Sequence, residues 1–175
     1  MQSKDKYVYV IAIDPGILGG LILYEKGVIT KTLRMPLIKE VTKNKEGKKQ
    51  TKNHLDAKKI LQFLKECLVV TNTVVIESQR IGSNDGYKSG LTTAINYGFL
   101  KGLIASLDLN LVELAPRTWQ TILGPILDPG SPINMKPTKR KSFVLANSIL
   151  NTPTKYDGIS DAVCIAEYYA KTHKV

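Results

Sequence analysis

The first part of the chain alternates short apolar runs with turn residues. Residues 7–13, 20–24 and 28–33 are rich in β-branched and large apolar side chains, and the polar tripeptide at 25–27 separates the second run from the third. Short apolar runs bounded by glycine and polar residues are typical of strands in a buried sheet. The pattern predicts three consecutive antiparallel strands at the start of the fold.

A Lys-rich segment interrupts this pattern after the third predicted strand. Between Lys39 and Lys59 there are eight lysines and three acidic residues, with little apolar content before Leu55. Segments of this kind bury too little apolar surface to order themselves. We therefore expect a mobile basic loop at about residues 38–54.

The second half of the chain mixes helical and strand patterns. Apolar residues spaced by three and four from Ile60 predict an amphipathic helix that packs on a sheet. An apolar run at 73–76 predicts a strand that ends at Glu77. The later predicted elements are a helix at about 92–106 that contains Gly98 and Gly102, a strand at 111–114, a helix with Pro116 in its first turn that carries Trp119, and helices after Thr138 and from about Gly158 to Lys171.

The order of these elements predicts the fold class. Three antiparallel strands are followed by two helix-strand units with parallel crossovers, and then by helices that close the chain. This order indicates an α/β protein with a ribonuclease-H-like mixed five-stranded sheet and helices on both faces. A length of 175 residues fits a single domain over residues 1–175.

Composition adds a strong positive charge to this fold. Apolar and charged residues make up 43% and 23% of the chain, close to the averages of globular domains. The formal net charge is +10 and the isoelectric point is near 9.5. Such an excess attracts polyanions, nucleic acid above all, and is more than a small anionic substrate needs.

Two further features bear on the compartment. Cys67 and Cys164 have no metal-binding or disulfide spacing and are predicted to be reduced thiols in the core. The apolar run at 7–13 follows two lysines, as in a secretory signal, but Asp14 and Pro15 end it too early. No run reaches the ~20 apolar residues of a membrane span. We expect a soluble intracellular protein with no membrane partner.

Four carboxylates lie at the ends of predicted elements. Asp14 follows the first strand, Glu77 ends the fourth, and Asp157 and Asp161 begin the last helix. Neighbouring strands would bring Asp14 and Glu77 together, and residues four apart share one face of a helix. Carboxylates ~4 Å apart repel by roughly 1 to 4 kcal/mol. Divalent cations would relieve this repulsion.

The ligand types indicate which cation and which chemistry. Carboxylate oxygens without histidine favour Mg²⁺ or Mn²⁺. Two such ions ~4 Å apart can activate water and stabilise the leaving oxygen of a phosphodiester, which predicts hydrolysis of nucleic acid. His54 and His173 lie outside this constellation, so zinc or histidine catalysis is not expected, nor is a small-molecule cofactor.

Each acidic residue alone also has a structural explanation. Asp14, Pro15 and Gly16 form a common turn sequence. Asp157 fits a helix N-cap, and Asp161 complements the helix dipole. Only Glu77, at the end of a buried apolar strand, needs a partner for its charge. The conjunction of all four residues carries the prediction.

The segments around the four acidic residues resemble those of a known family. The segments Ile-Ala-Ile-Asp14-Pro-Gly, Val-Val-Ile-Glu77 and Asp157-Gly-Ile-Ser-Asp161-Ala are similar to the RuvC-type Holliday junction resolvases of bacteria and phages. The similarity runs from Tyr7 to Tyr169. It implies a homodimer that binds four-way DNA junctions and cuts two strands symmetrically, with two Mg²⁺ ions held in each site by Asp14, Glu77, Asp157 and Asp161.

The sequence departs from the family pattern at three places. The last acidic pair of the family is often three residues apart, which places Gly158 where a ligand is expected. Arg80 stands where the family often has an aromatic wedge that opens the junction, and Tyr87 is a candidate substitute. The Lys-rich segment after Leu37 is an insertion relative to the family.

Basic residues near the acidic constellation are predicted to contact DNA phosphates. Four of them lie within residues 136–141, at the start of the helix predicted after Thr138, where cations oppose the helix dipole and an external anion is the more economical explanation. The predicted DNA-binding residues are Arg80, Lys88, Arg117, Lys136, Lys139, Arg140 and Lys141. The Lys-rich segment either grips a duplex arm or keeps the protein in solution.

Other functions remain open from the sequence. A ribonuclease H or a YqgF-like RNA-processing nuclease would share the fold and the acidic residues but act on hybrid or RNA substrates. A noncatalytic junction-binding module would share the fold without the chemistry. An actin-like or sugar-kinase fold also begins with an acidic turn, but it needs nucleotide loops and a second domain that 175 residues do not provide.

Overall fold

A computed structural model of the chain describes residues 8–43, 45–80, 86–123 and 137–173. Its strands are β1 (Tyr9–Asp14), β2 (Gly20–Glu25), β3 (Val28–Arg34), β4 (Leu37–Lys43), β5 (Lys49–Leu55), β6 (Thr73–Glu77) and β7 (Asn110–Leu114). Its helices are α1 (Ala57–Cys67), α2 (Tyr87–Ser106), α3 (Pro116–Trp119), α4 (Pro137–Ile149) and α5 (Asp157–Thr172), and a short 3₁₀ turn (Gln120–Ile122) follows α3.

Five of the strands form one mixed sheet in the order β3-β2-β1-β6-β7. The first three are antiparallel, and β6 and β7 run parallel to β1. The central strand β1 is completely buried from Val10 to Ile13, as expected where both faces of a sheet are covered. This arrangement confirms the predicted ribonuclease-H-like sheet.

Helices cover both faces of the sheet. On one face Ile11 and Ile13 pack with apolar residues of α1 and α2, such as Leu64 and Leu100. On the other face Val10, Ala12 and Ile22 pack with α4, α5 and Trp119. Alternate residues of β1 thus enter different cores, because successive side chains of a strand point to opposite faces.

The two cysteines lie in different cores. Cys67 packs with the α1 and α2 side chains, and Cys164 packs with the α4 and α5 side chains. Both are free thiols and are completely buried. The prediction of reduced core thiols is confirmed.

The Lys-rich segment is a β-hairpin, so the prediction of a mobile loop at 38–54 was wrong. Strands β4 and β5 pair antiparallel over seven residues each. Leu37 lies opposite Leu55, which is buried in the core and fixes the base of the hairpin. Gly47, with φ at 77°, lies in the turn. The apolar signal that identifies a buried strand is absent here because the rest of the hairpin is exposed.

Two helix starts differ from the predictions. Helix α2 begins at Tyr87, five residues before the predicted start, because its first turn is mostly polar and its apolar side chains Tyr87 and Leu91 are exposed, so no core-facing stripe marks the start. Helix α5 begins at Asp157 with Tyr156 as its N-cap, so Asp157 is not the cap. Residues 81–85 and 124–136 lie outside the described residues. None of the described helices combines the length and the hydrophobicity that crossing a membrane requires.

Candidate active site

Two of the predicted acidic residues end adjacent parallel strands. Asp14 is the last residue of β1 and Glu77 is the last residue of β6. Ile13 lies opposite Ile76 in the parallel pairing of these strands. Because the carboxyl ends of parallel strands meet at one edge of the sheet, both carboxylates are at the same end of the molecule.

A contact between two glycines positions the start of α5 beside Asp14. Gly19, in the turn between β1 and β2, forms a backbone bridge with Gly158. A Cβ atom at position 158 would lie 2.2 Å from the Gly19 Cα, and one at position 19 would lie 2.1 Å from the Asp14 carbonyl oxygen. Position 158, where the family resemblance expects a ligand, therefore has no room for an acidic side chain, and the acid stands at position 157 instead.

Asp14 occupies an environment that disfavours its charge. Burial raises the pKa of its carboxyl to about 7, and the nearby charges of Asp161 and Glu77 raise it as well. The Gly16 backbone N–H donates a hydrogen bond of 3.2 Å to Asp14 Oδ1, which opposes the shift together with the charge of Lys139. These interactions place Asp14, Glu77 and Asp161 within electrostatic reach of one another.

Two hydrogen bonds orient Glu77. The Trp119 indole N–H donates to Glu77 Oε1 at 3.0 Å, and the Gln79 amide donates to Oε2 at 3.1 Å. Burial raises the pKa of Glu77, and the charge of Asp161 acts in the same direction, while both hydrogen bonds lower it. Trp119 is 2% exposed. Its role was missed from the sequence, although a buried indole N–H needs an acceptor and this requirement was the available signal.

Lys139 provides a positive charge within the acidic cluster. Its Nζ lies 2.5 Å from Asp161 Oδ2 and 3.9 Å from Asp157 Oδ2. Burial lowers the pKa of Lys139, but its hydrogen bond to Asp161 and the charges of Asp161, Asp14 and Asp157 outweigh this and raise it. The sequence predicted an external anion for this lysine. In the structure its anions are carboxylates of the same chain.

Asp157 lies at the rim of the cluster. Its side chain is 43% exposed, and its contact with the cluster runs through Lys139. The preceding residue, Tyr156, stacks against the Arg34 guanidinium, which lies 3.8 Å from the ring centroid. The structure thus brings Asp14, Glu77 and Asp161 within electrostatic reach of one another and leaves Asp157 more accessible to solvent.

The cluster agrees with a hard divalent cation in ligand type and in charge. All its acidic donors are carboxylate oxygens, the preferred ligands of Mg²⁺ and Mn²⁺. Burial first, and then the charges of Asp161 and Glu77, raise the pKa of Asp14 despite the opposing charge of Lys139. As the side chains stand, no group of three His, Cys, Asp or Glu residues in the described part of the chain is arranged to hold a metal ion.

The other predicted basic residues are distributed around the site. Lys88 is exposed and lines a shallow groove with Pro15, Gly16 and Gln79, next to the turn that follows Asp14. Arg80 follows β6 and Arg117 lies on α3, and both are exposed, whereas Arg140 and Lys141 are partly buried on α4. Lys136 lies outside the described residues.

Both histidines make their contacts outside the acidic cluster. His54, on β5, contacts Glu40 across the hairpin at 2.9 Å. His173 caps the C-terminus of α5 and stacks on Tyr169. Their partners come from their own hairpin and their own helix end.

Comparison with known proteins identifies the fold. No protein-family model matches the sequence, and no curated protein matches it. The structure is similar to Thermus thermophilus RuvC in complex with a Holliday junction substrate, with 14% identity and a TM-score of 0.55 over 95% of this chain and 98% of that one. A second Thermus thermophilus RuvC structure matches with 16% identity and a TM-score of 0.50 over the same shares of the two chains. The chain therefore has a RuvC-type fold.

Proposed function

We propose that this protein is a metal-dependent endonuclease that resolves four-way DNA junctions. The observation that carries this proposal is the convergence of Asp14, Glu77 and Asp161 at one end of a RuvC-type fold in a strongly basic protein. The RuvC relative was solved with a Holliday junction substrate, which supports branched DNA as the substrate here. The proposal includes the expected intracellular location.

In this proposal Asp14, Glu77 and Asp161 hold two Mg²⁺ or Mn²⁺ ions, and Asp157 contributes from the rim. When bound, such ions supply an activated water and stabilise the leaving oxygen of a phosphodiester. The protein holds the metal-binding carboxylates in position. The Gly16 N–H fixes Asp14, and Trp119 and Gln79 fix Glu77, so that both carboxylates are oriented before a ligand arrives.

Helix α2 supports a homodimer. Its exposed apolar residues recur every four positions, on one side of the helix. They are Tyr87, Leu91, Ile95 and Phe99, which are 83%, 47%, 59% and 38% exposed. Gly98 and Gly102 lie in the same stripe, and a Cβ atom at either position would meet nothing within 4 Å. Within the described residues, no part of the chain makes the close backbone approach that these glycines allow.

A second copy of the chain is the partner that fits this stripe. Pairing through α2 would bury the apolar side chains and bring two helix backbones together at the glycines. A twofold dimer also places two acidic clusters against a substrate that has twofold symmetry. Cleavage of two strands at symmetric positions follows from this arrangement.

The substrate class is tested by cleavage of three labelled nucleic acids. These are a mobile four-way junction, a linear duplex with the sequence of one arm, and an RNA–DNA hybrid, each incubated with Mg²⁺ and with a chelator. We expect paired, symmetric nicks in the junction, only with Mg²⁺. Cleavage of the hybrid instead would indicate a ribonuclease H or a YqgF-like activity. Junction binding without cleavage in either Mg²⁺ or Mn²⁺ would indicate a noncatalytic module.

A further inference from the structure

The β4–β5 hairpin has two faces with different charge. Side chains directly opposite one another in an antiparallel pair point to the same face, and neighbours along a strand alternate. One face carries the pairs Lys39–Asn53, Val41–Thr51 and Lys43–Lys49, and the other carries Ile38–His54, Glu40–Lys52 and Thr42–Gln50. We call the first of these, with Lys39, Lys43 and Lys49, the basic face.

The charges on the basic face are uncompensated. No acidic residue lies on it, and none of the salt bridges between described residues involves Lys39, Lys43 or Lys49. On the other face Glu40 lies opposite Lys52 and contacts His54 at 2.9 Å. The hairpin therefore separates a neutralised face from one with positive charge alone.

This arrangement is unfavourable for an isolated hairpin. Lys43 lies directly opposite Lys49, and like charges in opposed positions destabilise strand pairing. A two-stranded hairpin in water is marginal even without such repulsion. Beyond Leu37 and Leu55, both faces are largely exposed to solvent. An external polyanion along the basic face would remove the repulsion.

The shape and position of the hairpin fit double-stranded DNA. Seven residues per strand at about 3.3 Å each give a ribbon roughly 20 Å long. The major groove of B-DNA, about 12 Å wide, admits a two-stranded ribbon. The hairpin leaves the sheet directly after β3, whose last residue, Arg34, pairs with Gly20, and Gly20 pairs with Asp14. Its base is thus at the acidic end of the sheet.

We propose that the basic face of the β4–β5 hairpin binds the phosphates of a duplex arm of the DNA substrate. Lys39, Lys43 and Lys49 contact phosphates, and Thr51 and Asn53 add hydrogen-bond donors between them. The choice of a DNA duplex as the partner rests on the proposed function. The hairpin then holds an arm on the side of the molecule where the carboxylates cluster.

The test compares two triple variants of the full chain. One is Lys39→Gln, Lys43→Gln and Lys49→Gln, which neutralises the basic face. The matched control is Lys52→Gln, Lys58→Gln and Lys65→Gln, which removes the same charge from the opposite face of the hairpin and from α1. All six lysines are exposed. Thermal melting checks folding, and the first variant is expected to melt no lower than the wild type, because it removes the opposed pair.

Binding is measured by the salt dependence of the dissociation constant, for a four-way junction and for a linear duplex. Each lost phosphate contact reduces the slope of log affinity against log salt concentration by about 0.9. The basic-face variant loses three contacts, so its slope is expected to be smaller by about 2.7. It is also expected to bind at least about tenfold more weakly at 50 mM salt. The control variant is expected to lose less than about 0.9 of slope.

The outcomes separate this inference from the proposed function. Wild-type affinity and slope for the basic-face variant, or equal losses in both variants, would overturn the role of the hairpin, whether or not the protein cleaves junctions. A loss confined to the basic-face variant, seen with the linear duplex as well, supports it even if the wild-type protein cuts no junction. In that case only the proposed function fails.

Discussion

Asp14 is the residue with the least favourable environment for its charge. It is an aspartate whose carboxyl is held by one backbone N–H while burial and two neighbouring acids oppose ionisation. Buried carboxylates of this kind are common where a cation or a proton completes the site. The residue therefore connects the stability of the protein to pH, and under the proposed function also to metal.

Stability of the metal-free protein is expected to fall as pH rises from about 4 to about 7. The pKa of Asp14 is raised from 3.8 to about 7 on folding, so the folded state binds a proton more tightly than the unfolded chain. Above pH 7, ionisation of Asp14 then lowers the free energy of unfolding by up to about 4 kcal/mol, at about 1.4 kcal/mol per pKa unit.

The matched variant is Asp14→Asn, which cannot ionise. Melting in a chelator at pH 5 and pH 8 should show the variant gaining stability relative to the wild type at the higher pH. An equal difference between the two proteins at both pH values would contradict the raised pKa.

Trp119 is predicted to act through Glu77. Trp119→Phe keeps an apolar ring but removes the N–H that donates to Glu77 Oε1. A hydrogen bond to a charged group contributes about 1.5 to 3 kcal/mol, so the rate of cleavage should fall roughly ten- to hundredfold if the bond orients this ligand. Junction affinity should stay within about twofold, and the Mg²⁺ concentration needed for half-maximal cleavage should rise. An unchanged Mg²⁺ requirement would show that Trp119 serves packing alone.

At the scale of elements, the contact between Gly19 and Gly158 positions α5. Gly158→Ala places a methyl group 2.2 Å from the Gly19 Cα, so the start of α5 must shift or the turn must open. We expect the free energy of unfolding to fall by about 1 to 3 kcal/mol or more, as in other overpacked cores, and cleavage to be lost. The measurement is denaturant unfolding.

Gly86→Ala is the control for this substitution. Gly86 precedes α2, and a Cβ atom there would meet nothing within 4 Å. Gly86→Ala should lower the free energy of unfolding by less than about 1 kcal/mol, which is the range for a changed N-cap residue. Equal losses for the two variants would argue against a special role for the glycine contact.

The exposed apolar stripe of α2 predicts that the protein is a dimer. Ile95→Lys places a charge in the centre of the exposed apolar stripe and should convert a dimer into a monomer, as measured by light scattering. Val69→Lys, at a residue that is 88% exposed after α1, is the control and should leave the dimer intact. A wild-type protein that is monomeric at micromolar concentration would contradict the dimer.

The elements also show what the sequence could predict. Strands β1, β2, β3 and β6 were predicted within two residues, the buried strands β1, β2 and β6 by their apolar runs and the more exposed β3 by its β-branched residues. The β4–β5 hairpin was missed because its strands are exposed and its lysines are typical of loops. Its β-branched residues, such as Val41 and Thr51, were the remaining signal.

At the scale of the whole molecule, the sequence predicted which carboxylates lie at element ends but not what surrounds them. The prediction that the strands ending at Asp14 and Glu77 are neighbours was enough to place these two residues at the same edge of the sheet. The bond between Trp119 and Glu77 joins residues 42 positions apart and leaves no local pattern. Lys139 was identified by its charge at a helix start, yet its anion proved to be Asp161, because the sequence does not show how α4 and α5 pack.

The arrangement of charge unites the fold with the proposed function. A protein of net charge +10 concentrates acidic side chains at one end of its central sheet, and a basic hairpin leaves the sheet at that same end. Basic surfaces attract DNA, whereas the carboxylates repel phosphate unless cations neutralise them. Binding and cleavage should therefore be separable by substitution of the acids.

Cleavage and binding of a labelled four-way junction by Asp14→Asn and Glu77→Gln test the central claim most directly. Both variants are predicted to form no nicks at any Mg²⁺ concentration, and to bind the junction as tightly as the wild type or more tightly, since a charge that repels phosphate has been removed. Symmetric nicks by either variant in Mg²⁺, at a rate near that of the wild type, would contradict the assignment of these carboxylates as the catalytic centre.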